Sequence, residues 1–211
     1  MGKIEDEKEA LDWNNKGNSL FQLGKYEEAI ACYDEATRLD PQNHHAWNNK
    51  GAALSGLGRY EEAIACADEA IRLDPEDIMG WLNKGDLLDL LEKYEEAIAC
   101  YDEVIRVRPE EPGAWYCKGN SLASIEKYKE SIACYDEVIR LDLEAYYGWN
   151  NKGAALANLE RYEESIACVD KAIKLDSQNP DAWNNKGNVL KKLGRDEEAE
   201  QCFANVKRLQ K

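Results

Sequence analysis

The chain has 211 residues, and its 27 Lys and Arg against 42 Asp and Glu give a formal net charge of -15. A composition of 44% hydrophobic and 33% charged residues is typical of a soluble protein with a core and disfavours disorder. No stretch approaches the roughly 20 apolar residues that span a bilayer, and the acidic N-terminus lacks the apolar segment of a secretory signal. Nucleic-acid binding needs clustered Lys and Arg. We therefore expect a cytoplasmic protein without membrane or nucleic-acid partners.

Rare residues recur along the whole chain at a fixed interval. All six Trp are spaced 34 residues apart, a Gly follows each of them four positions later, and six of the seven Cys keep the same period. Such a period predicts an array of stacked units. Counting each Trp as position 4, the chain divides into a short N-terminal extension, 1–9, and a single array of six repeats, 10–43, 44–77, 78–111, 112–145, 146–179 and 180–211.

Each repeat predicts two successive helices. The first carries Trp at position 4, Gly at 8 and Leu at 11, which lie on one helical stripe. Position 15 ends this helix in the left-handed conformation that suits Gly, so we expect strain at Glu92, Glu126 and Glu160, which occupy the same position. In the second helix, an acid at 25 precedes a base at 29, for example Asp34 and Arg38, which predicts ion pairs on an exposed face.

These motifs resemble the tetratricopeptide repeat family, whose pattern is W-x2-L-G-x2-Y, then A-x3-F, then P. In the second repeat the chain reads W-N-N-K-G-A-A-L from Trp47, followed by Ala63, Ala67 and Pro75. Two departures recur in all six repeats: Lys replaces the Leu at position 7, and Leu replaces the Tyr after the Gly. The resemblance covers residues 10–211 and implies an all-α, right-handed α-solenoid of six helix-turn-helix repeats.

The terminal repeats differ from the internal ones. Positions 21 and 28, which would face the next repeat, are Ile or Thr in the first five repeats but Glu200 and Lys207 in the last. Position 3 is Ala or Gly except for Asp12 in the first repeat. Polar outer faces are expected where no neighbouring repeat covers them. We therefore expect a complete six-repeat module.

The sequence offers little chemistry for catalysis. His44 and His45 adjoin at a helix start with no third ligand in view, which favours a polar helix start over a metal site. No phosphate-binding glycine loop, nucleophile elbow or zinc-protease motif occurs. The Cys of successive repeats would lie on second helices separated by a first helix, which is too far for a disulfide. We expect no enzymatic activity, no metal, no cofactor, and reduced thiols.

The first helices carry a ladder of Asn opposite the Trp stripe. Position 6 is Asn in five of the six repeats, and Asn recurs at position 9 on the same face and at position 5 beside that face. Asn is a mediocre helix former, and its amide both donates and accepts hydrogen bonds, as a peptide main chain requires. The resemblance implies that first helices line a concave groove in which position-6 Asn holds a peptide; alternatively, repeat duplication copied these residues without selection for binding. The predicted contacts are Asn15, Asn18, Asn49, Asn83, Asn120, Asn151, Asn185 and Asn188.

Selectivity is expected where the repeats differ from one another. The middle repeats carry apolar side chains on the predicted groove, and exposed apolar patches often mark binding sites. This predicted apolar stretch consists of Met79, Leu82, Leu90, Tyr116 and Tyr147, with Asp86 and Asp89 beside it. Some tetratricopeptide domains bind C-terminal carboxylates through Lys, Arg and Asn. Such a clamp is not predicted here, because Asn14, Met79 and Asn83 occupy the basic positions.

The sequence therefore predicts a non-enzymatic adaptor that binds an extended segment of a partner protein in a concave groove. A self-assembling, homo-oligomeric scaffold, in which the groove binds the terminus of another copy, is the alternative. A binder of single-stranded RNA would need a basic groove, which the composition disfavours.

Overall fold

A computed structural model describes residues 2–210, with side chains from residue 5 onward, and this part of the chain folds into twelve α-helices without a strand. Successive helix pairs coincide with the six predicted repeats, and α1 also includes the segment predicted as an extension. The all-α fold class is therefore confirmed. The helices are α1 (Gly2–Gln22), α2 (Tyr26–Leu39), α3 (His44–Gly56), α4 (Tyr60–Leu73), α5 (Ile78–Leu90), α6 (Tyr94–Val107), α7 (Pro112–Ser124), α8 (Tyr128–Leu141), α9 (Tyr146–Asn158), α10 (Tyr162–Leu175), α11 (Pro180–Lys192) and α12 (Asp196–Leu209).

The turn inside each pair has the predicted backbone conformation. In the first repeat, Gly24 donates to the Phe21 carbonyl at 2.9 Å and Lys25 to the Leu20 carbonyl at 3.0 Å, which satisfies carbonyls at the helix end. The φ angles at position 15 are 71–74° for Gly and 58–60° for the three Glu residues. Because a positive φ is uncommon for residues with a Cβ, the strain predicted for these Glu residues is present.

The position-8 glycines let the two helices of a pair approach each other closely. A Cβ added to Gly17 would lie 2.5 Å from Tyr33 Cε1, and one added to Gly119 would lie 2.7 Å from Tyr135 Cε1. Both tyrosines are almost fully buried. The ring at position 24 therefore packs directly on the backbone of the first helix.

The chain forms two compact units, one ending at Arg108 and the other beginning at Pro109. Within each unit the helices of a pair contact each other, each second helix contacts the following first helix, and successive first helices also touch. In the described part of each unit, successive second helices do not contact one another. None of the seven cysteines, all within the described residues, forms a disulfide, and burial raises the pKa of Cys66 and of Cys100 to about 11. The single array stays a prediction.

The Lys at position 7 forms an ion pair with the preceding repeat. Lys50 Nζ lies 2.6 Å from Asp34 Oδ1 of the preceding repeat, and the same pair recurs three more times along the chain. The predicted pairing of Asp34 with Arg38 is therefore wrong: Arg38 pairs with Glu35 instead, at 2.8 Å. The acid at position 25 points across the repeat boundary, where the Lys reaches it.

Candidate functional site

The predicted amide residues lie where successive first helices touch. We call each such contact a seam; unit one contains the α1/α3 and α3/α5 seams, and unit two the α7/α9 and α9/α11 seams. Position 5, which the sequence placed beside the groove face, is instead buried in three seams, at Asn14, Asn48 and Asn150. The amides at positions 5 and 6 can therefore bond to each other across a seam.

In two seams the amide at position 6 bonds to the amide at position 5. Asn49 Nδ2 donates to Asn14 Oδ1 at 3.0 Å across the α1/α3 seam, and Asn185 Nδ2 donates to Asn150 Oδ1 at 2.9 Å across the α9/α11 seam. In both cases position 6 of one repeat donates to position 5 of the preceding repeat. One of the two N–H donors of each position-6 amide is therefore used inside the protein.

The α7/α9 seam holds a larger network centred on Asn151. Its Nδ2 donates to Asn120 Oδ1 at 2.9 Å and to the Tyr116 hydroxyl at 3.2 Å, while its Oδ1 accepts from Asn150 Nδ2 at 3.1 Å. Asn120 Oδ1 also accepts from the Tyr135 hydroxyl at 2.9 Å. Both N–H donors of the Asn151 amide are engaged, and this side chain has no donor left for a ligand.

The α3/α5 seam lacks such a bond. Asn83 is equivalent to Asn151, yet its side chain makes no hydrogen bond with any residue that the structure describes. The position-5 partner available to it, Asn48, turns its Nδ2 to Asp77 Oδ2 at 3.2 Å. The half-buried amide of Asn83 is therefore free to bind another molecule.

Asn83 opens into a pocket between α3 and α5 with a volume of about 170 Å³, which we call the α3/α5 pocket. Asp86 contributes a carboxylate and Leu90 an exposed apolar side chain. The other lining residues are Gly51, Ala52, Ser55 and Leu87. The pocket therefore combines an open amide, an acid and an apolar side chain, which are the groups that an extended basic or apolar peptide could contact.

Asp86 and Asp89, the two acids predicted beside the apolar stretch, both lie within hydrogen-bond distance of one tyrosine hydroxyl. The Tyr101 hydroxyl lies 2.8 Å from Asp86 Oδ1 and 2.9 Å from Asp89 Oδ2. Desolvation raises the pKa of Asp86, the neighbouring Asp89 raises it further, and the Tyr101 hydroxyl opposes this shift. The Tyr101 hydroxyl has one proton and donates to one of the two carboxylates at a time, and Asp86 is the one that lines the pocket.

The remaining predicted amides differ in their surroundings. Asn18 Oδ1 accepts from the Tyr33 hydroxyl at 2.8 Å, and Asn18 and Asn49 line a pocket of about 290 Å³ at the α1/α3 seam. Asn15 and Asn188 are exposed, and Asn188 lines another seam pocket at α9/α11. The predicted amides therefore do not share one bonding state, and a ladder that binds a peptide stays a prediction.

The residues of the predicted apolar stretch are divided between the two units. Met79 and Leu90 are 50% and 60% exposed, but they lie at opposite ends of α5, about 16 Å apart along the helix. Leu82 between them is half-buried. In unit two the rings of Tyr116 and Tyr147 meet edge to face, with 4.9 Å between centroids. One continuous stretch stays a prediction.

Sequence reasoning missed a third polar group beside the two histidines. Asp77 Oδ2 lies 3.6 Å from His44 Nε2 and 4.0 Å from His45 Nδ1. Asp77 is the last residue of the repeat that the histidines begin, so stacking brings the start of α5 beside the start of α3. The available signal was the repeat period, because it places consecutive inter-repeat loops next to each other.

Comparison with known proteins identifies the repeat type. Models described as Tetratricopeptide repeat match residues 14–78, 78–111, 112–144 and 180–211, and a model described as TPR repeat matches 153–194. The Protein STIP1 homolog of Dictyostelium discoideum is 40% identical over 40 residues, which is 19% of this chain and 7% of that protein. The match thus spans a small part of that relative.

Solved structures share the fold at low sequence identity. MamA from Desulfovibrio magneticus RS-1 is 22% identical with a TM-score of 0.75, covering 81% of this chain and 97% of that one. YrrB, described as a TPR protein with an unusual peptide-binding site, is 21% identical with a TM-score of 0.69, covering 84% and 92%. No helix in the described part of this chain is both long and apolar enough to cross a membrane.

Proposed function

The chain belongs to the tetratricopeptide repeat family, and we propose that it is a non-catalytic adaptor that binds an extended segment of a partner protein. The primary contact is the α3/α5 pocket. The fold supplies rows of parallel first helices, and the YrrB structure is an example of this fold with a peptide-binding site. Free, buried thiols suit a reducing compartment, so we place the adaptor in the cytoplasm.

The open amide of Asn83 is the observation that carries this proposal. Four position-6 Asn residues follow another first helix in the same unit of the described structure. The amides of Asn49, Asn151 and Asn185 bond to that preceding helix, whereas the Asn83 amide does not. The half-buried Asn83 side chain faces the pocket. An extended peptide offers carbonyl and N–H groups that satisfy an amide without regard to side-chain sequence.

The neighbours of Asn83 determine which peptide fits. Leu90 offers an exposed apolar surface at one end of the pocket, and Asp86 and Asp89 offer negative charge held in place by Tyr101. The whole chain carries a net charge of -15. Charge complementarity contributes mainly to specificity and association rate. We therefore expect a segment with an apolar side chain flanked by Lys or Arg.

The proposal is tested by selecting peptides from a random library against the folded protein and titrating them calorimetrically. Asn83→Ala is expected to weaken binding by about tenfold or more, equivalent to about 1.4 kcal/mol. Asp86→Asn should reduce the preference for basic residues and the salt dependence of binding. Asn184→Ala is the control, because Asn184 is an exposed Asn of α11 whose side chain makes no hydrogen bond with the described residues.

Equal affinity of the parent and Asn83→Ala would reject the α3/α5 pocket as the site. The homo-oligomeric alternative is examined by sedimentation equilibrium over a wide range of protein concentration. A monomer that binds the selected peptides supports the adaptor. Association that Asn83→Ala abolishes would instead mean that the pocket binds another copy of the same chain.

A further inference from the structure

We propose that the starts of α3 and α5 form a site for a divalent transition metal, with Zn²⁺ the ion that fits best. The ligands are His44, His45 and Asp77. Two imidazole nitrogens and one carboxylate oxygen are a donor set that Zn²⁺ accepts, with water in the fourth position. This site lies at the helix starts and is independent of the peptide contact proposed at Asn83.

The three donor atoms already converge. His44 Nε2, His45 Nδ1 and Asp77 Oδ2 lie within 4.8 Å of one another, and His44 Nε2 is 3.6 Å from Asp77 Oδ2. Ligands of a tetrahedral zinc ion bound at about 2.1 Å are separated by about 3.4 Å. The His45 side chain is 70% exposed, so only this flexible ring needs to rotate to complete the site.

Asp77 is held in the orientation that a ligand requires. It is the N-cap of α5, and its Oδ1 accepts a hydrogen bond from the Met79 N–H at 3.2 Å. This bond directs the other oxygen, Oδ2, to the two imidazoles. Hydrogen bonds that orient a ligating carboxylate are a regular part of metal sites. The helix start therefore positions Asp77 independently of any ion.

A buried amide supplies a second, independent observation. Asn48 is only 6% exposed, its Nδ2 lies 3.2 Å from Asp77 Oδ2, and its Oδ1 has no hydrogen-bond partner in the described structure. The equivalent oxygens of Asn14 and Asn150 each accept a bond from the following repeat. Asn48 Nδ2 therefore holds the Asp77 oxygen that would bind the ion, as hydrogen-bond partners of ligating carboxylates do.

Charge around the site favours a cation. Two helices begin here, and their dipoles oppose positive charge. Against this, Asp77 supplies one carboxylate, and Asp74 Oδ2 lies 3.8 Å from His44 Nε2 as another. Imidazole with carboxylate suits zinc, copper and nickel better than calcium or magnesium, which prefer oxygen ligands alone.

The test is calorimetric titration of Zn²⁺ into the reduced, full-length protein. We expect one ion per chain and an upward shift of the melting temperature with Zn²⁺. Asp77→Asn and His44→Gln should each weaken binding by tenfold or more and abolish the shift. Asp77→Asn preserves the helix cap, because Asn179 Oδ1 caps α11 in the same way by accepting from the Asp181 N–H at 2.8 Å.

Thiols and surface acids are the competing sources of zinc binding. Cys117 is the one cysteine that is not buried, so Cys117→Ser should leave the affinity unchanged. Asp176→Asn removes a carboxylate that bonds to its loop as Asp74 does, and it should have no effect either. Co²⁺ in place of Zn²⁺ should give a spectrum without thiolate charge transfer. A thiolate band, absence of saturable binding, or unchanged affinity in both His44→Gln and Asp77→Asn would overturn the proposal.

Discussion

The α3/α5 and α7/α9 seams occupy equivalent places in two repeats yet differ in their hydrogen bonds. At α7/α9, Asn151 bonds to Asn120, Tyr116 and Asn150. At α3/α5, Asn83 has no partner in the described structure. The same residue type at the same position therefore stabilises one seam and leaves the other open.

The difference arises from the neighbouring positions. The fourth repeat has Asn120 at position 9 and Tyr135 at position 24, and the second repeat has the smaller Ala52 and Ala67. Tyr135 holds Asn120, and Asn120 in turn accepts from the Asn of the following repeat. Without that pair there is no such acceptor at α3/α5, where the position-5 amide of Asn48 bonds to Asp77 instead. Both seams hold a pocket, of about 170 Å³ at α3/α5 and about 390 Å³ at α7/α9. The two seams thus differ in whether the position-6 amide is open to its pocket.

The largest expected effect comes from replacing Tyr135, at position 24 of the fourth repeat, with the Ala that the second repeat has at that position. Tyr135→Ala should lower the free energy of unfolding by about 3–5 kcal/mol, because it removes a fully buried ring packed on Gly119. Tyr135→Phe keeps the ring and should cost only about 0.5–1.5 kcal/mol, the value of a typical hydrogen bond. Urea denaturation measures both variants. Equal losses would show that packing at Gly119 is not what the ring provides.

A smaller difference in the free energy of unfolding is expected between variants of Asn151 and Asn83. Asn151→Ala should lower the free energy of unfolding by about 1–3 kcal/mol, because it removes the centre of a part-buried network. Asn83→Ala should change it by no more than about 0.5 kcal/mol, as for a residue without such partners. Similar losses in the two variants would mean that the Asn83 side chain makes hydrogen bonds within the folded protein.

The smallest effect concerns the helix starts. Asp77 caps α5 through the Met79 N–H, but α9 begins after Ala145, which has no capping side chain. Asn179→Ala, which removes a cap from α11, should lower the free energy of unfolding by about 1 kcal/mol. Ala145→Asn should not raise it by that amount, because Ala145 is buried and an amide placed there loses its contact with water. A gain of about 1 kcal/mol in Ala145→Asn would show that the added cap outweighs the burial of the amide.

Much of the fold follows from local sequence patterns. The 34-residue period gives the helix pairs, and the left-handed turn at Glu92 follows from its alignment with Gly24. The candidate site depends on contacts between repeats, which local patterns do not contain. The pairing of Asn49 with Asn14 joins residues 35 positions apart, and Asp77 meets His44 only because two helix starts lie side by side. Helical periodicity alone placed position 5 beside the groove face and could not show that seams bury it.

The central claim is that the Asn83 amide is available to a peptide and the Asn151 amide is not. Nuclear magnetic resonance of the side-chain amide groups in ¹⁵N-labelled protein, recorded during titration with a selected peptide, tests this directly. The resonances of Asn83 Nδ2 should shift in proportion to saturation, while those of Asn151 stay in place. Shifts confined to Asn151 and Asn185, with Asn83 unchanged, would contradict the claim.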